Sequence, residues 1–324
     1  MGFREALRDN PATNGLYCKL RDVKHKYVHK QHIKTAYQFT DRSRGEKKCC
    51  VILAGYKEFV WDSVFPRIRR YQPADLDVCV VSSGLYSEAL AKMCAENAWS
   101  YLSTTRNNVS VAQNLAITLL KSAEWIYKLD EDIFVTDGYF ETLMQTYETV
   151  AREGEYDVGF AAPLIPINGY GHLRLLKKLG LADTYAEKFE RPIYASYPAR
   201  QIENNPEVAK FFWGEGGVFP QIDALAKQLQ AEPFAYSACP IRFSIGAILF
   251  TRATWEKMGM FPVVKGAGMG IDEDEFCAYC IKESQAIIVS ENTVVGHLSF
   301  GKQNAAMKEY YEQHTDRFAI QENA

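Results

Sequence analysis

Between residues 49 and 162 the chain alternates short apolar runs with longer segments of helical spacing, and few folds accept that rhythm. Residues 49–54, 78–82, 99–103, 125–129 and 156–162 are strand candidates: short, apolar and bounded by polar or turn-forming residues. Between them, Ala112, Leu115, Ala116, Leu119 and Leu120 mark one face of a helix over 109–121. The alternation predicts an α/β fold, a Rossmann-like, mostly parallel sheet with helices on both faces. In such sheets ligands bind beyond the carboxyl ends of the strands.

One of those ends is unusual. Residues 125–129 run straight into Asp130, Glu131 and Asp132. Carboxylates there would project from the sheet edge, where Asp130 and Asp132 could share a metal-bound anionic ligand. Hard oxygen donors suit Mg or Mn, which usually keep water and bind substrate phosphates as well as protein. The plainer alternative is a solvated acidic turn, since Asp favours turns and caps.

The net charge of -3 hides an asymmetry: residues 19–48 carry ten Lys/Arg against three Asp/Glu. Lys24, Lys26, Lys30 and Lys34 alternate there with His25, His29 and His32. Residues 1–48 are expected to form a basic arm, solvated or in peripheral contact with an anionic membrane, rather than a nucleic-acid binder. The eight cysteines are scattered, with Cys49 and Cys50 inside an apolar strand, which fits a reducing compartment better than a disulfide framework. Cys277 and Cys280 share an apolar helix face with Phe276 and Ile281, so core packing accounts for that CxxC. No apolar stretch approaches the ~20 residues of a membrane span. The expected location is the cytoplasm, with any membrane contact at its inner face.

Residues 163–240 break the strand–helix rhythm with eight prolines and many aromatics, as an insertion that shapes a pocket would. Regular structure returns with a strand over 243–251, a helix over 252–258, a glycine-rich loop, a helix over 273–283 and a strand over 286–290. A C-terminal helix and tail occupy 301–324. In the loop, Gly266, Gly268 and Gly270 precede Asp272, Glu273, Asp274 and Glu275. Asp272 as N-cap with Glu275 three residues on would make a capping box. A remaining carboxylate facing the crevice could take a proton from an attacking hydroxyl. His297 follows as a lone histidine, of interest only in company.

In this order the pieces resemble the GT-A fold of family 2 glycosyltransferases. Asn108-Val-Ser-Val-Ala-Gln113-Asn114 followed by Leu129-Asp130-Glu131-Asp132 is similar to that family's N-x-G-x-x-x-A-R-N helix and its D-x-D. The stretch from Phe243 to Arg252, then Trp255 to Phe261, resembles its acceptor-side strand and helix. Glu273-Asp274 falls at its E-D pair, and His297 where many GT-A enzymes have a third metal contact. The resemblance covers about 49–162 and 240–300 of a domain expected to span 49–300, with 163–240 as the inserted acceptor-side region.

The resemblance implies a metal-dependent, inverting, hexosyltransferase-type enzyme that moves a sugar from a nucleotide-sugar donor to a hydroxyl of a glycan or glycoconjugate. It gives Ala54 and Tyr56 to the nucleotide base, with Ser82 and Ser83 where the family commonly has an Asp for the base. Asn108, Gln113 and Glu131 lie near the donor, and Asp130 contacts the ribose or sugar. Asp132 and His297, with Asp130, hold Mn or Mg. Asp274 is the general base, with Glu273 beside it. Tyr170, His172, Trp213 and Glu215 are the acceptor-side candidates, since aromatics suit sugar faces and carboxylates suit hydroxyls. A UDP-sugar is the favoured donor. Ser110 and Gln113 depart from the family's Gly and Arg. Two other readings remain: a sugar nucleotidyltransferase, which would need a basic glycine-rich loop after the first strand, and a non-catalytic binding or scaffold protein on the same fold.

Overall fold

The structure, a computed structural model, describes Thr13, residues 31–196 and residues 200–321. Most of the basic arm, including Lys24, Lys26 and Lys30, therefore lies outside the described residues. The end of the arm is built into the sheet: β1 (Tyr37–Thr40) pairs antiparallel with β4 (Ser100–Thr104).

The expected strands are present, as β2 (Lys48–Leu53), β3 (Leu76–Ser83), β4, β5 (Trp125–Asp130) and β7 (Asp157–Leu164). Their residues are almost all buried, which is why they read as continuous apolar runs rather than alternating ones. The helices between them are α1 (Trp61–Tyr71), α2 (Glu88–Glu96), α3 (Val109–Leu119) and α4 (Tyr139–Glu153). Ser87 caps α2 by accepting from the Leu90 amide, and Asn108 caps α3 through Val111. Left-handed Gly138 and Gly154 bracket α4.

Within the insertion lie α5 (Gly171–Lys178), α6 (Ala182–Lys188), α7 (Gln201–Asn204), α8 (Pro206–Phe212) and α9 (Ile222–Gln230), then β8 (Tyr236–Ala238). Beyond it come β9 (Ala247–Thr251), α10 (Arg252–Met258), α11 (Ile271–Lys282), β10 (Gln285–Val294) and α12 (Asn304–Gln313).

The large sheet has the order β1-β4-β3-β2-β5-β9-β7-β10-β8. Strands β2, β3, β4, β5, β7 and β10 run one way; β1, β8 and β9 run against them. The sheet is thus mostly parallel, with β9 as an antiparallel strand set between two parallel blocks. Helix α3 packs on β2, β3 and β4, while α4 and α9 pack on β10. Every described cysteine is a buried free thiol, and Cys277 sits in the core against Phe243. No described helix is long and apolar enough to cross a membrane.

A second, two-stranded sheet was not foreseen. Residues Ile133–Phe134 (β6) pair antiparallel with Gly296–His297 (β11), setting His297 opposite Ile133. This small pairing brings the far end of the chain to the acidic triplet.

Two expected boundaries also differ. The strand expected over 243–251 begins at Ala247: Gly246 O still accepts from the Asp130 amide at 2.9 Å, but Ile245 bonds side chains instead of strand backbone, its carbonyl accepting from Lys128 Nζ at 2.9 Å and its amide donating to Glu273 Oε2 at 3.2 Å. Helix α11 begins at Ile271 behind a left-handed Gly270, so Asp272 is not its N-cap and no side chain caps it. The glycine can take that conformation without strain, which leaves the Asp272 carboxylate for another partner.

Candidate functional site

Strands β2 and β5 end in register, Leu53 opposite Asp130, so the turn 54–57 and the acidic triplet meet at one edge of the sheet. The three acids point to three different partners.

Asp130 is held by Lys128, whose Nζ lies 2.6 Å from Oδ1. Side chains two apart on a strand share a face, and Lys128 is only 3% exposed, so its ammonium requires that counter-charge. Glu131 turns back under β2: it accepts from the amides of Gly55 (2.9 Å) and Tyr56 (3.0 Å) and from Trp61 Nε1 (2.7 Å). Its carboxylate is spent on the protein, which moves it from donor contact to support of the loop that carries Tyr56 and Lys57.

Asp132 is 3% exposed, and its Oδ2 lies 2.6 Å from Lys57 Nζ and 3.6 Å from His297 Nε2. Burial alone would raise its pKa; the charge of Lys57 and the neighbouring His297 outweigh that and hold it below the ordinary carboxylate value. The backbone fixes the pair, since the Leu298 amide donates to Asp132 O at 3.1 Å. His297 Nδ1 lies 3.1 Å from Ile167 O. A carbonyl only accepts, so Nδ1 carries a proton there, and the ring turns its Nε2 edge toward Asp132.

A carboxylate oxygen and an imidazole nitrogen oriented by a backbone carbonyl are a donor set that fits Mn and tolerates Mg. Among the described residues no cluster of three or more His, Cys, Asp and Glu converges on one point. Asp130 thus does not join Asp132 and His297 in a three-ligand cluster. A divalent ion here would take its other ligands from water and phosphate oxygens, as Mg and Mn commonly do.

The base-side residues divide in the same way. Ser82 is fully buried, its hydroxyl donating to Leu85 O at 2.7 Å and lying 2.7 Å from the Tyr101 hydroxyl. Ser83 Oγ accepts from the Asn108 amide at 2.7 Å. Ala54 is buried, its amide donating to Val81 O. Tyr56 is different: its hydroxyl is pinned to Ser83 O at 2.7 Å, yet the residue is 61% exposed, so a fixed aromatic face stands over the ends of β2 and β3.

Asn108 and Gln113 do not face an open donor site. Besides capping α3, Asn108 donates Nδ2 to Val264 O (3.1 Å) and Gly266 O (2.8 Å), clamping the glycine loop. Gln113 Nε2 donates to Asp272 Oδ2 at 2.8 Å, the partner that the start of α11 leaves free.

The E-D pair is gathered by Arg242. Its Nη1 lies 2.9 Å from Asp274 Oδ1 and 3.2 Å from Glu273 Oε1. The Asp274 side chain is 54% exposed and that of Glu273 only 15%. Burial pushes Glu273 up to about 7, with Arg242 and the Ile245 amide opposing. Ile245 links the two halves of the site: its carbonyl accepts from Lys128 Nζ and its amide donates to Glu273 Oε2 at 3.2 Å. Asp130, Lys128, Ile245 and Glu273 therefore form one continuous chain of contacts.

The four acceptor-side candidates do not form one surface. Tyr170 is buried and stacks on Tyr194 at 5.0 Å. His172 is buried, with Nδ1 2.7 Å from Asn168 O, and burial lowers its pKa to about 4. Trp213 packs on Phe134 and Phe318, donating its indole N–H to His297 O at 3.1 Å. Glu215 accepts from the Tyr310 hydroxyl at 2.8 Å. Trp213 thus acts on the site from behind, by holding β11.

Sequence reasoning missed Lys57, Lys128 and Arg242. Lys128 did leave a signal, a charged residue inside an apolar strand two positions from an acid. Arg242 and Lys57 left none, because their partners are distant in sequence.

No family model matches the chain, and no curated protein matches it. Among solved structures, GalNAc-T7 with UDP, GalNAc and Mn2+ aligns over 80% of this chain and 45% of its own, at 11% identity and a TM-score of 0.45. The chain spans less than half of that protein's length. The mannosyltransferase PcManGT from Pyrobaculum calidifontis, in complex with GDP-Man and Mn2+, aligns over 98% of this chain and 74% of its own, at 15% identity and a TM-score of 0.45.

Proposed function

We propose that this chain is a metal-dependent, inverting glycosyltransferase that moves a hexose from a nucleotide-sugar donor, with a UDP-sugar favoured, to a hydroxyl of a glycan or glycoconjugate. The observation that carries this reading is the convergence of Asp132 Oδ2 and His297 Nε2, 3.6 Å apart, at the sheet edge that also bears the exposed face of Tyr56. The motif order in the sequence supports it independently.

In this reading Tyr56 offers its ring to the nucleotide base, since a fixed aromatic face stacks on a base without selecting strongly among bases. Asp132 and His297 hold Mn or Mg, and the ion, when bound, neutralises charge on the departing nucleoside diphosphate. Asp130, oriented by Lys128, accepts hydrogen bonds from donor hydroxyls. The base belongs to the Glu273–Asp274 pair, and the assignment falls on Glu273 rather than on Asp274: it is the more buried carboxylate and its pKa lies near neutrality, where a general base is most effective. Glu273 takes the acceptor hydroxyl proton as that oxygen bonds to the anomeric carbon and the bond from carbon to the diphosphate oxygen breaks. A single displacement inverts the anomeric centre.

A nucleotidyltransferase is disfavoured because the 54–57 turn carries one ammonium, Lys57, and it is engaged by Asp132. The deciding experiment is turnover of a nucleotide-sugar panel with Mn. Transfer or hydrolysis that is lost in Asp132→Asn and in EDTA is expected. Nucleotide binding without metal dependence and without turnover would return the scaffold reading.

A further inference from the structure

Lys57 occupies an odd position for a site that is to hold a divalent cation. Its backbone is set by the turn in which Gly55 and Tyr56 are tied to Glu131, and its side chain is 19% exposed. Nζ lies 2.6 Å from Asp132 Oδ2 and 3.5 Å from Ser299 O. That Oδ2 is the same atom that faces His297 Nε2. An ammonium and a metal ion would therefore compete for one oxygen.

The need for a cation at that oxygen follows from the burial of the carboxylate. His297 is tied through Nδ1–H to Ile167 O, and the Asp132 carboxylate beside it is 3% exposed. A carboxylate held out of water is costly unless positive charge lies beside it, and Lys57 supplies that charge at 2.6 Å. We propose that Lys57 is a resident counter-cation of this seat: it neutralises Asp132 and preserves the Asp132–His297 geometry before metal arrives, and it must leave Asp132 for a divalent ion to bind.

Two consequences follow. Metal binding in wild-type protein is weakened by the work of displacing Lys57. The displaced ammonium stands at the rim of the crevice, so a nucleoside diphosphate that receives it favours metal loading, and by linkage metal favours the diphosphate equally. This rests on the proposed metal seat, and the two can fail separately.

The test is Mn titration followed by the EPR signal of free Mn, on the full chain, without nucleotide and with UDP or GDP. Lys57→Met keeps the length of the stem and removes the charge. It is expected to bind Mn about tenfold more tightly than wild type without nucleotide, to show less enhancement by the diphosphate, and to melt at a lower temperature without metal. Lys57→Arg keeps the charge and is expected to show no such gain, which separates charge from general loosening. Mn binding by wild type that is unchanged or weaker in Lys57→Met overturns the displacement while leaving the metal seat intact. No Mn binding by either protein, with or without diphosphate, removes both.

Discussion

The indole N–H of Trp61 donates to the Glu131 carboxylate at 2.7 Å, reaching from the start of α1 to the middle of the acidic triplet. With the Gly55 and Tyr56 amides, it gives Glu131 three donors from the segment that follows β2. Replacing Glu131 by Ala leaves those donors without this partner in a buried setting, at about 1–3 kcal/mol for each one that water cannot reach. Glu131→Ala is expected to lower stability by roughly 3 kcal/mol in urea unfolding and to weaken nucleotide binding as Tyr56 loosens. Stability within ~0.5 kcal/mol of wild type would show that the loop holds itself.

Arg67 and Asp223 form the second buried anchor. The guanidinium is fully buried and bidentate, 2.6 and 2.9 Å from the two carboxylate oxygens, and it also donates to Ala319 O at 2.9 Å. Burial by itself would raise Asp223; the hydrogen bonds and charge of Arg67 win, so its pKa lies below the ordinary 3.8. A lowered folded-state pKa means that the contribution is complete above the unfolded value near 3.8 and is lost as pH falls below it. Asp223→Asn is expected to destabilise by about 3–5 kcal/mol at pH 7, the cost of an unpaired buried charge. The difference from wild type should shrink as unfolding is measured at progressively lower pH below 4. A difference independent of pH over that range would mean that packing, not the ion pair, sets it.

The parts of this fold that were legible in sequence are those whose cause is local. Strands β2, β3 and β5 are buried on both faces, so burial writes itself as an unbroken apolar run. Helix α3 shows its periodicity, and Asp132 stands out as the last of three acids that follow an apolar run. The pairing of β6 with β11 rests on two residues in each strand that are remote in sequence, and no periodicity can form over two residues. The same limit hid Lys57 and Arg242. It also explains Trp213 and His172, which were expected to line an acceptor site because an aromatic suits a sugar face. The sequence type was compatible with that role, but both are buried and bonded to backbone carbonyls.

Gly296 tests the pairing that sets His297. A Cβ built there would lie 2.5 Å from Trp213 Cη2 and 3.2 Å from Phe134 Cβ, and Trp213 is wedged against Phe134 and Phe318. Because the indole also bonds His297 O, displacing it pulls on β11. Gly296→Ala is expected to cost about 1–3 kcal/mol through overpacking and to weaken Mn binding more than it weakens nucleotide binding without metal. Equal losses in both would place the damage in the whole fold.

The choice between Glu273 and Asp274 is decided by a pH profile. A base must be deprotonated to act, so with Glu273 at about 7 the kcat/KM should climb with pH, with unit slope below 7, and level off above it. Glu273→Gln should lose about 10²–10⁴ in turnover, the usual worth of a general base, while nucleotide binding is retained. Asp274→Asn tells the two apart through Arg242. With the 2.9 Å partner neutralised, the guanidinium, already 3.2 Å from Glu273, is left with Glu273 as its charged partner there, which favours the ionised carboxylate. The acidic limb of Asp274→Asn should therefore move to lower pH with turnover largely kept, whereas Arg242→Leu, which removes the positive charge, should move it above 7. An Asp274→Asn variant that loses turnover at every pH, beside a Glu273→Gln variant that keeps it, would return the base to Asp274.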